Sequence, residues 1–303
     1  MNNNQDYLVK AIAFNDSVRI YAVTCKNALN TIGDRLGYYP SALAAVGRVM
    51  SVGLMMGAML KLDETVTIKV EGNGPIGLIL VDADAKGNVR AYCSNPHCHY
   101  EYADKQKLNV KATVGDSGFI NVIKDLKLKE PFIGSTPIIS GELAEDFAYY
   151  FSVSEQVPSV VSLGVLVDED SRAKTAGGFI IQLLPNTEEE VIDKLEAEMK
   201  DFPTMSTLLS SGKTPEDIIS LIAGNDVKIL ETMPVNFKCN CSRERFENGL
   251  ISLGKDEIKE MIETDGAAHT VCHFCGNEYN FDKNDLIKIL HTIEELSLIH
   301  IWR

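Results

Sequence analysis

The chain is short of positive charge and has no recognisable export signal. Its 29 lysines and arginines are outnumbered by 43 aspartates and glutamates, so the formal net charge is −14 at pH 7. A general nucleic-acid binder usually carries a basic face, and this balance argues against one. The first ten residues, MNNNQDYLVK, contain neither a basic n-region nor an apolar h-region. We therefore expect a cytoplasmic protein whose thiols are kept reduced, where paired cysteines indicate metal or redox chemistry more than structural disulfides.

Motifs that would hold a nucleotide are also missing. Residues 72–77 match G-x-G-x-x-G, but a dinucleotide site needs this loop to open a helix, and here a strand-like run follows. Pro75 also removes one of the amides that would meet a phosphate. Residues 212–214 imitate the end of a phosphate-binding loop, yet that loop would need glycine where Thr207 stands. We predict a hairpin turn at the first motif, a helix N-cap at Thr214, and no nucleotide partner.

One long apolar run imitates a membrane span. Residues 41–60 read SALAAVGRVMSVGLMMGAML, with Arg48 near the middle and Pro40 before them. Because an arginine at mid-bilayer is costly, we predict a buried core helix and no membrane partner. Gly53 and Gly57 would then let neighbouring elements pack closely against this helix.

The length and the apolar content suffice for one large domain and a small one. The chain has 303 residues, of which 45% are hydrophobic and 24% charged, as in ordinary globular proteins. Runs of strands with interspersed helices predict an α+β fold for an N-terminal domain over residues 1–185. The predicted strands cover residues 7–14, 18–24, 65–71, 76–83, 88–93, 119–123, 137–140, 160–167 and 177–184, and the predicted helices cover 27–36, 41–60 and 142–151.

Residues 186–235 have the pattern of a helical linker. Thr187 and Glu190 form a predicted capping box, and Pro203 ends the helix that they start. A second predicted helix runs from residue 214 to Gly224. Because helices this short are marginal alone, we predict a metastable segment that is folded only while it is docked. Its acidic first helix adds self-repulsion, which lowers the cost of melting it.

Residues 236–296 form a small module that contains four cysteines in two close pairs. Cys239 and Cys241 make a C-x-C motif, and Cys272 and Cys275 make a C-x-x-C motif after a domain-sized insert. Two such pairs are typical of a tetrahedral Cys₄ zinc site. Gly276 lets the backbone turn behind the last sulfur. We predict that these four cysteines bind one Zn²⁺ and that the folding of the module depends on the ion.

The rest of this module is predicted as helices, a hairpin and a closing helix. The helices cover residues 244–253, 255–262 and 284–296, and the hairpin covers 267–281 around the C-x-x-C turn. We interpret residues 297–303, which include the single tryptophan, as an appended tail and leave them out of the functional argument.

Other cysteines and histidines are interpreted as structural. One cluster consists of Cys93, His97, Cys98 and His99. No partner carboxylate or second ligand pair accompanies it, so we interpret it as a polar turn, with a metal or catalytic role as the alternative. Cys25 is predicted to be buried and inert. His269 and His273 are alternative ligands, although four cysteines already complete a tetrahedron.

These motifs together resemble the 33 kDa chaperonin family, the redox-regulated heat-shock holdases. The resemblance spans nearly the whole chain, and the C-x-C plus C-x-x-C pair is its most specific part. The cluster at residues 93–99 is outside it. The segments that carry it are Phe237–Arg245, Cys272–Gly276, Ser41–Arg48, Glu71–Pro75, Ser140–Asp146, and Tyr150-Phe151 with Ser154–Gln156.

The resemblance implies a redox switch. In the reduced form, zinc bound by the four cysteines would keep the protein inactive. Oxidation would pair Cys239 with Cys241 and Cys272 with Cys275 and would release the zinc. The linker and the module would lose order and expose an apolar surface. The family's active form dimerises and binds unfolding proteins without ATP under oxidative and heat stress, so the resemblance implies a chaperone and not an enzyme.

Two other functions stay open at this stage. A zinc-ribbon protein that binds nucleic acid or ribosomes would need a basic face. An enzyme of thiol–disulfide exchange could use the C-x-x-C motif. Against that enzyme, the motif accompanies a complete ligand set and does not open a helix in a βαβ unit.

Overall fold

The computed structural model describes residues 5–103, 107–224 and 226–301, with side chains up to residue 295. Its internal contacts divide the chain into two units, Met1–Lys238 and Cys239–Arg303. The strands of the first unit are β1 (Tyr7–Ala13), β2 (Val18–Thr24), β3 (Thr65–Gly72), β4 (Leu78–Asp84), β5 (Asn88–Cys93), β6 (Gly118–Asp125), β7 (Phe132–Pro137), β8 (Ser159–Val167), β9 (Ala173–Leu183), β10 (Val227–Pro234) and β11 (Asn236–Phe237). Its helices are α1 (Lys26–Leu36), α2 (Pro40–Gly57), α3 (Val110–Val114), α4 (Ala144–Val153), α5 (Glu189–Lys200), α6 (Met205–Ser210) and α7 (Pro215–Ala223). The predicted α+β class is confirmed.

The first sheet is apolar on both faces. Its strands follow the order β10-β1-β2-β9-β8, and neighbouring strands are antiparallel. Since successive side chains of a strand point to opposite faces, Leu8 joins one core cluster and Val9 joins another. The first cluster contains residues of α1, α2 and α4, and the second contains residues of α5, α6 and α7. Helices therefore cover this sheet from both sides.

The second sheet is apolar on one face only. Its order is β11-β5-β4-β3-β6-β7, with antiparallel pairs except for the parallel pair β11–β5. In β3, Val66, Ile68 and Val70 are buried, while the residues between them are partly exposed. This alternation is the pattern of an antiparallel sheet with one solvated face.

Helix α2 fills the space between the two sheets, since it contacts strands of both. Within the described residues it is the one helix long and apolar enough to cross a membrane, and 89% of it is buried inside the protein. A Cβ on Gly53 would lie 2.8 Å from Val81 Cγ1, and a Cβ on Gly57 would lie 2.7 Å from the carbonyl oxygen of Asp84. The prediction of a closely packed core helix is confirmed.

One predicted strand is displaced because a buried carboxylate rearranges the backbone around it. Residues 137–140 were expected to be extended, but β7 ends at Pro137. Asp146, fully buried, accepts hydrogen bonds from the amides of Ile139 and Ser140, both at 2.8 Å. It also accepts one at 3.0 Å from the amide of Leu143, the N-cap of α4. The helix therefore begins at residue 144 and not at 142.

The predicted capping residue of the first linker helix is wrong. Helix α5 has Glu188 as its N-cap, and Thr187 lies one residue outside. The Thr187 hydroxyl donates to the carbonyl oxygens of Ser17 at 2.9 Å and Leu184 at 2.7 Å. Threonine hydroxyls often bond to nearby backbone in this way, which competes with capping.

The second linker helix starts as predicted. Thr214 Oγ1 accepts from the amide of Asp217 at 3.2 Å, and the Asp217 carboxylate accepts from the amide of Thr214 at 2.9 Å. Strand β10, inside residues 186–235, was not predicted; it forms one edge of the first sheet by pairing with β1. The contact boundary lies after Lys238, and the three-part division at residues 185 and 235 stays a prediction.

The C-terminal unit packs three helices and a hairpin around a small core. The elements are α8 (Arg243–Leu253), α9 (Lys255–Thr264), β12 (Ala267–Val271), β13 (Glu278–Asp282) and α10 (Lys283–Ile301). The buried core consists of Leu250, Ile258, Phe281, Leu286, Ile289 and Ile293. The predicted helices and hairpin are confirmed. Helix α10 extends beyond residue 296, so the backbone of 297–301 continues it, while residues 302–303 lie outside the described range.

Candidate metal centre

Two backbone segments bring the four cysteines together. Cys239 and Cys241 lie in the extended segment before α8, and Cys272 and Cys275 lie in the turn between β12 and β13. The amide of Cys272 donates to Asn277 O, and the amide of Gly276 donates to Cys272 O, each at 2.8 Å. Gly276 has φ 71°, a conformation that glycine adopts without strain. The turn thus directs two sulfurs toward the other pair.

The sulfur positions fit a tetrahedral ion. All four Sγ atoms lie within 4.8 Å of one another. Cys239 Sγ is 3.7 Å from Cys272 Sγ, and Cys241 Sγ is 3.4 Å from Cys275 Sγ. Four thiolates at a Zn–S distance of about 2.3 Å would stand about 3.8 Å apart. All seven cysteines of the chain are free thiols, so the ligand atoms are available.

The Cys241 sulfur has two polar neighbours from β13 and the turn before it. Tyr279 Oη donates to it at 3.1 Å, and Asn277 Nδ2 donates at 3.9 Å. Burial raises the pKa of Cys241, but hydrogen bonds from Tyr279 and the other thiols outweigh it and lower the pKa to about 7. The same hydrogen bond, together with burial, raises the pKa of Tyr279 to about 12. Tyr279 was not among the predicted site residues; its position on the strand that follows the C-x-x-C turn is the feature that could have indicated it.

The two hairpin sulfurs, those of Cys272 and Cys275, lose a proton less readily than that of Cys241 when no metal is bound. Burial raises the pKa of Cys272 and of Cys275, and hydrogen bonds from the amides of Phe274 and Asn277 oppose it in part. A cation held between the sulfurs would favour the thiolate forms, because bound metal ions deprotonate coordinating thiols. The donor set therefore suits a metal ion.

Arginine side chains fasten the first cysteine segment to the hairpin. Arg243 donates to Asn280 O and to Asp285 Oδ2, each at 2.6 Å, and its guanidinium lies 4.3 Å from the ring centroid of Phe281. Arg245 donates to Asn240 O at 3.3 Å, between the two cysteines of the C-x-C motif. These contacts fix the backbone that carries Cys239 and Cys241.

The other predicted groups have structural contacts. Cys25 and Cys93 are buried, and burial raises the pKa of each to about 12. His99 Nδ1 lies 3.3 Å from Ser41 Oγ. His269 Nε2 lies 3.2 Å from Glu278 Oε2. Among the described residues, the group of side chains placed to hold a metal contains the four C-terminal cysteines and no histidine.

Comparison with known proteins gives one consistent family. The family model described as Hsp33 protein matches residues 6–282. The 33 kDa chaperonin of Bacillus pumilus (strain SAFR-032) is 50% identical over 288 residues, which cover 95% of this chain and 99% of that protein. The 33 kDa chaperonin of Bacillus cereus (strain AH187) is 50% identical over 290 residues, covering 95% of this chain and 100% of that protein.

A solved structure agrees with the sequence comparisons. The crystal structure of the 33 kDa chaperonin (heat shock protein 33 homolog) from Thermotoga maritima superposes with a TM-score of 0.90 at 33% identity. The match covers 96% of this chain and 100% of that one. With the family match over residues 6–282 and relatives at 50% identity, the chain belongs to the Hsp33 family.

Proposed function

We propose that this protein is a redox-regulated, ATP-independent chaperone of the holdase type. Its reduced, zinc-bound form is inactive, and its disulfide-bonded, zinc-free form binds unfolding proteins and prevents their aggregation. Family membership supports the chaperone function. The structural observation that carries the proposal is the apolar face of the first sheet, which short linker helices cover.

The covered face supplies a client-binding surface. Its centre is made by Val9, Ile20 and Phe179, all of which are almost completely buried. Their cover includes Leu208 of α6 and Ile219 of α7. Helices of this length are marginal without tertiary contacts, so their release is the least costly way to open the core of this unit. An exposed apolar face of this kind would bind many unfolded sequences.

The four cysteines are the proposed sensor. Cys239, Cys241, Cys272 and Cys275 would hold one Zn²⁺, which suits four closely spaced thiolates and stabilises a small fold. Oxidation joins Cys239 to Cys241 and Cys272 to Cys275. Each new S–S bond removes two electrons from a pair of thiolates, and one hydrogen peroxide accepts them together with two protons from the solvent and becomes two waters. A disulfide sulfur is a poor metal ligand, so the folded unit loses its ion.

The same scheme indicates where the protein acts and how its activated form assembles. We propose a cytoplasmic location, where a reducing poise keeps the resting form zinc-bound. We propose that the activated form is a homodimer, because an uncovered apolar face also favours self-association. Neither nucleotide nor nucleic acid has a part in this scheme, and binding without chemical conversion makes the protein a non-enzyme.

The test measures metal, thiols and activity on one sample. Treatment with peroxide and mild heat is expected to release one zinc per chain, to remove four thiols, and to suppress light scattering of an aggregating client. Added reductant should reverse these changes. A Cys93→Ala/Cys98→Ala variant is the control and should respond like the parent. The proposal fails if the fully oxidised, zinc-free protein leaves client scattering unchanged.

A further inference from the structure

A cavity in the N-terminal unit lies between the linker and the first sheet, away from the four cysteines in sequence. Its volume is about 360 Å³, at the small end of the range for ligand sites. One wall is the turn between α6 and α7, with Gly212 and Lys213. The facing wall comes from β9 and from the start of α1, with Lys174 and Lys26. A ligand here would touch both the linker and the sheet that the linker covers.

Three lysines converge on this cavity in a protein of strongly negative charge. Lys26, Lys174 and Lys213 line it, while the chain as a whole has a net charge of −14. None of the three forms an ion pair within the part of the chain that the structure describes. The lysines that do form ion pairs there are Lys10, Lys69, Lys86, Lys124, Lys127, Lys255 and Lys288. The cavity therefore gathers positive charge that nearby carboxylates do not neutralise by direct contact.

The nearby acids are already engaged by other donors. Asp6 Oδ2 accepts from the amide of Ala28 at 2.8 Å. Glu216 Oε2 accepts from the hydroxyl of Tyr7 at 2.7 Å. Asp217 caps α7 through the amide of Thr214. These carboxylates keep their charge, and Asp6 and Asp217 attract Lys26 and Lys213 through space. None of them makes a direct ion pair with a cavity lysine in the described part of the chain, so the lysine N–H donors remain available to a ligand.

We propose that this cavity binds a small phosphate-bearing anion and that the bound anion holds α6 and α7 against the first sheet. Lysine binds phosphate as a point charge, and several lysines around a compact cavity suit a dianion with oxygens on all sides. Inorganic phosphate and a phosphate monoester share this chemistry. A ligand that binds only the docked arrangement stabilises it by mass action. Binding of this kind does not depend on the redox function proposed above.

The binding test uses the full-length reduced protein with one zinc per chain. Inorganic phosphate and glycerol 3-phosphate are titrated separately while amide NMR shifts are followed, with sodium chloride at equal ionic strength as the reference. Saturable shifts are expected at residues 174–176 and 212–213. A response to inorganic phosphate alone identifies the free ion as the ligand, and a stronger response to the ester identifies a monoester.

Matched variants separate a site from a general salt effect. Lys174→Ala/Lys213→Ala should weaken binding at least tenfold. Lys200→Ala/Lys228→Ala removes the same charge from exposed positions outside the cavity and should bind like the parent. Equal affinity in the two double variants, or equal shifts with chloride, would overturn the proposal.

The effect on docking is measured by hydrogen exchange. At a free phosphate concentration ten times the dissociation constant, amides of Ile218 and Ile219 should exchange roughly elevenfold more slowly if exchange requires undocking. The Lys174→Ala/Lys213→Ala variant should show no slowing. Saturable binding without slower exchange in α7 would refute the stabilising role.

Discussion

The two units of the protein reach stability by different means. In Met1–Lys238, two sheets and α2 build one continuous apolar cluster, and a second cluster lies under α5, α6 and α7. In Cys239–Arg303, six buried apolar side chains form the whole core among the described residues. Four of the chain's seven cysteines belong to this smaller unit. Burial is therefore ample in the first unit and scarce in the second.

The difference shows where a metal ion would matter. In a domain of fewer than about 80 residues, the hydrophobic core rarely contributes more than about 3–5 kcal/mol to the free energy of unfolding. Structural zinc in finger peptides supplies about 10–16 kcal/mol. The ion would thus dominate the stability of the C-terminal unit, and its loss would leave intact the apolar cluster that α2 and the two sheets build in the N-terminal unit. A chemical event at four sulfurs can in this way unfold one part of the chain selectively.

Removing one sulfur ligand should have the largest effect. Cys272→Ser replaces a thiolate with a weak ligand, so we expect most of the zinc affinity and the dispersed NMR signals of residues 239–295 to be lost. The thermal transition of the N-terminal unit should remain. Cys98→Ser, at a buried position of the first unit, is the matched control and should keep its zinc. If the Cys272→Ser variant kept a folded C-terminal unit without metal, the contrast between the units would be wrong.

The same truncation in the two cores should have unequal consequences. Phe281→Ala and Phe147→Ala each remove a fully buried ring, at about 3–5 kcal/mol. In the small unit this loss equals the whole contribution of the core to stability. The C-terminal unit of Phe281→Ala should therefore be unfolded without metal, and its zinc affinity should fall by two orders of magnitude or more. In the large unit the melting temperature should fall by about 10 °C with the fold retained. Zinc titration and calorimetry measure the two outcomes, and equal tolerance in both units would contradict the comparison.

Regular periodicity predicted most of the architecture. The alternation in β3 and the apolar run of α2 lead directly to a one-sided sheet and a core helix. Residues 137–140 were mispredicted because the Asp146 carboxylate, which comes later in the chain, bonds to their amides. Strand β10 was missed because most of it is exposed and its pairing with β1 spans the length of the unit. Such long-range pairings leave no local pattern.

The sequence predicted the four candidate metal ligands but not the side chains that contact them. The two motifs identify the cysteines, because few other constraints place four of them at such short spacing. The hydrogen bond from Tyr279 to Cys241 and the contact of Arg243 with Asp285 depend on how α8 meets the hairpin. The lysine cavity likewise brings together residues that are far apart in sequence.

A smaller effect is expected where the linker docks. Ile218→Ala removes a completely buried side chain of α7 and should weaken docking by about 2–5 kcal/mol. Leu221→Ala, on the same helix but 46% exposed, should change it by less than about 0.5 kcal/mol. Hydrogen exchange in residues 205–223 should accelerate in the first variant alone, with β3 and β4 unaffected. Equal behaviour of the two variants would mean that α7 does not depend on this contact.

The smallest effect concerns the contact that supports one ligand. Tyr279→Phe removes the hydroxyl that donates to Cys241 Sγ at 3.1 Å and keeps the ring, which stacks on Phe246 with centroids 4.8 Å apart. Hydrogen bonds to metal ligands typically contribute 10- to 100-fold in affinity, and a neutral hydroxyl belongs near the lower limit, so we expect zinc affinity to fall about tenfold. Phe246→Leu, which disturbs the stacking but keeps the hydroxyl, is the control. Competition with a chromogenic chelator measures both. If Tyr279→Phe left the affinity unchanged while Phe246→Leu lowered it, the packing of the ring and not the hydrogen bond would support Cys241, and the small core would contribute more to this unit than its size suggests.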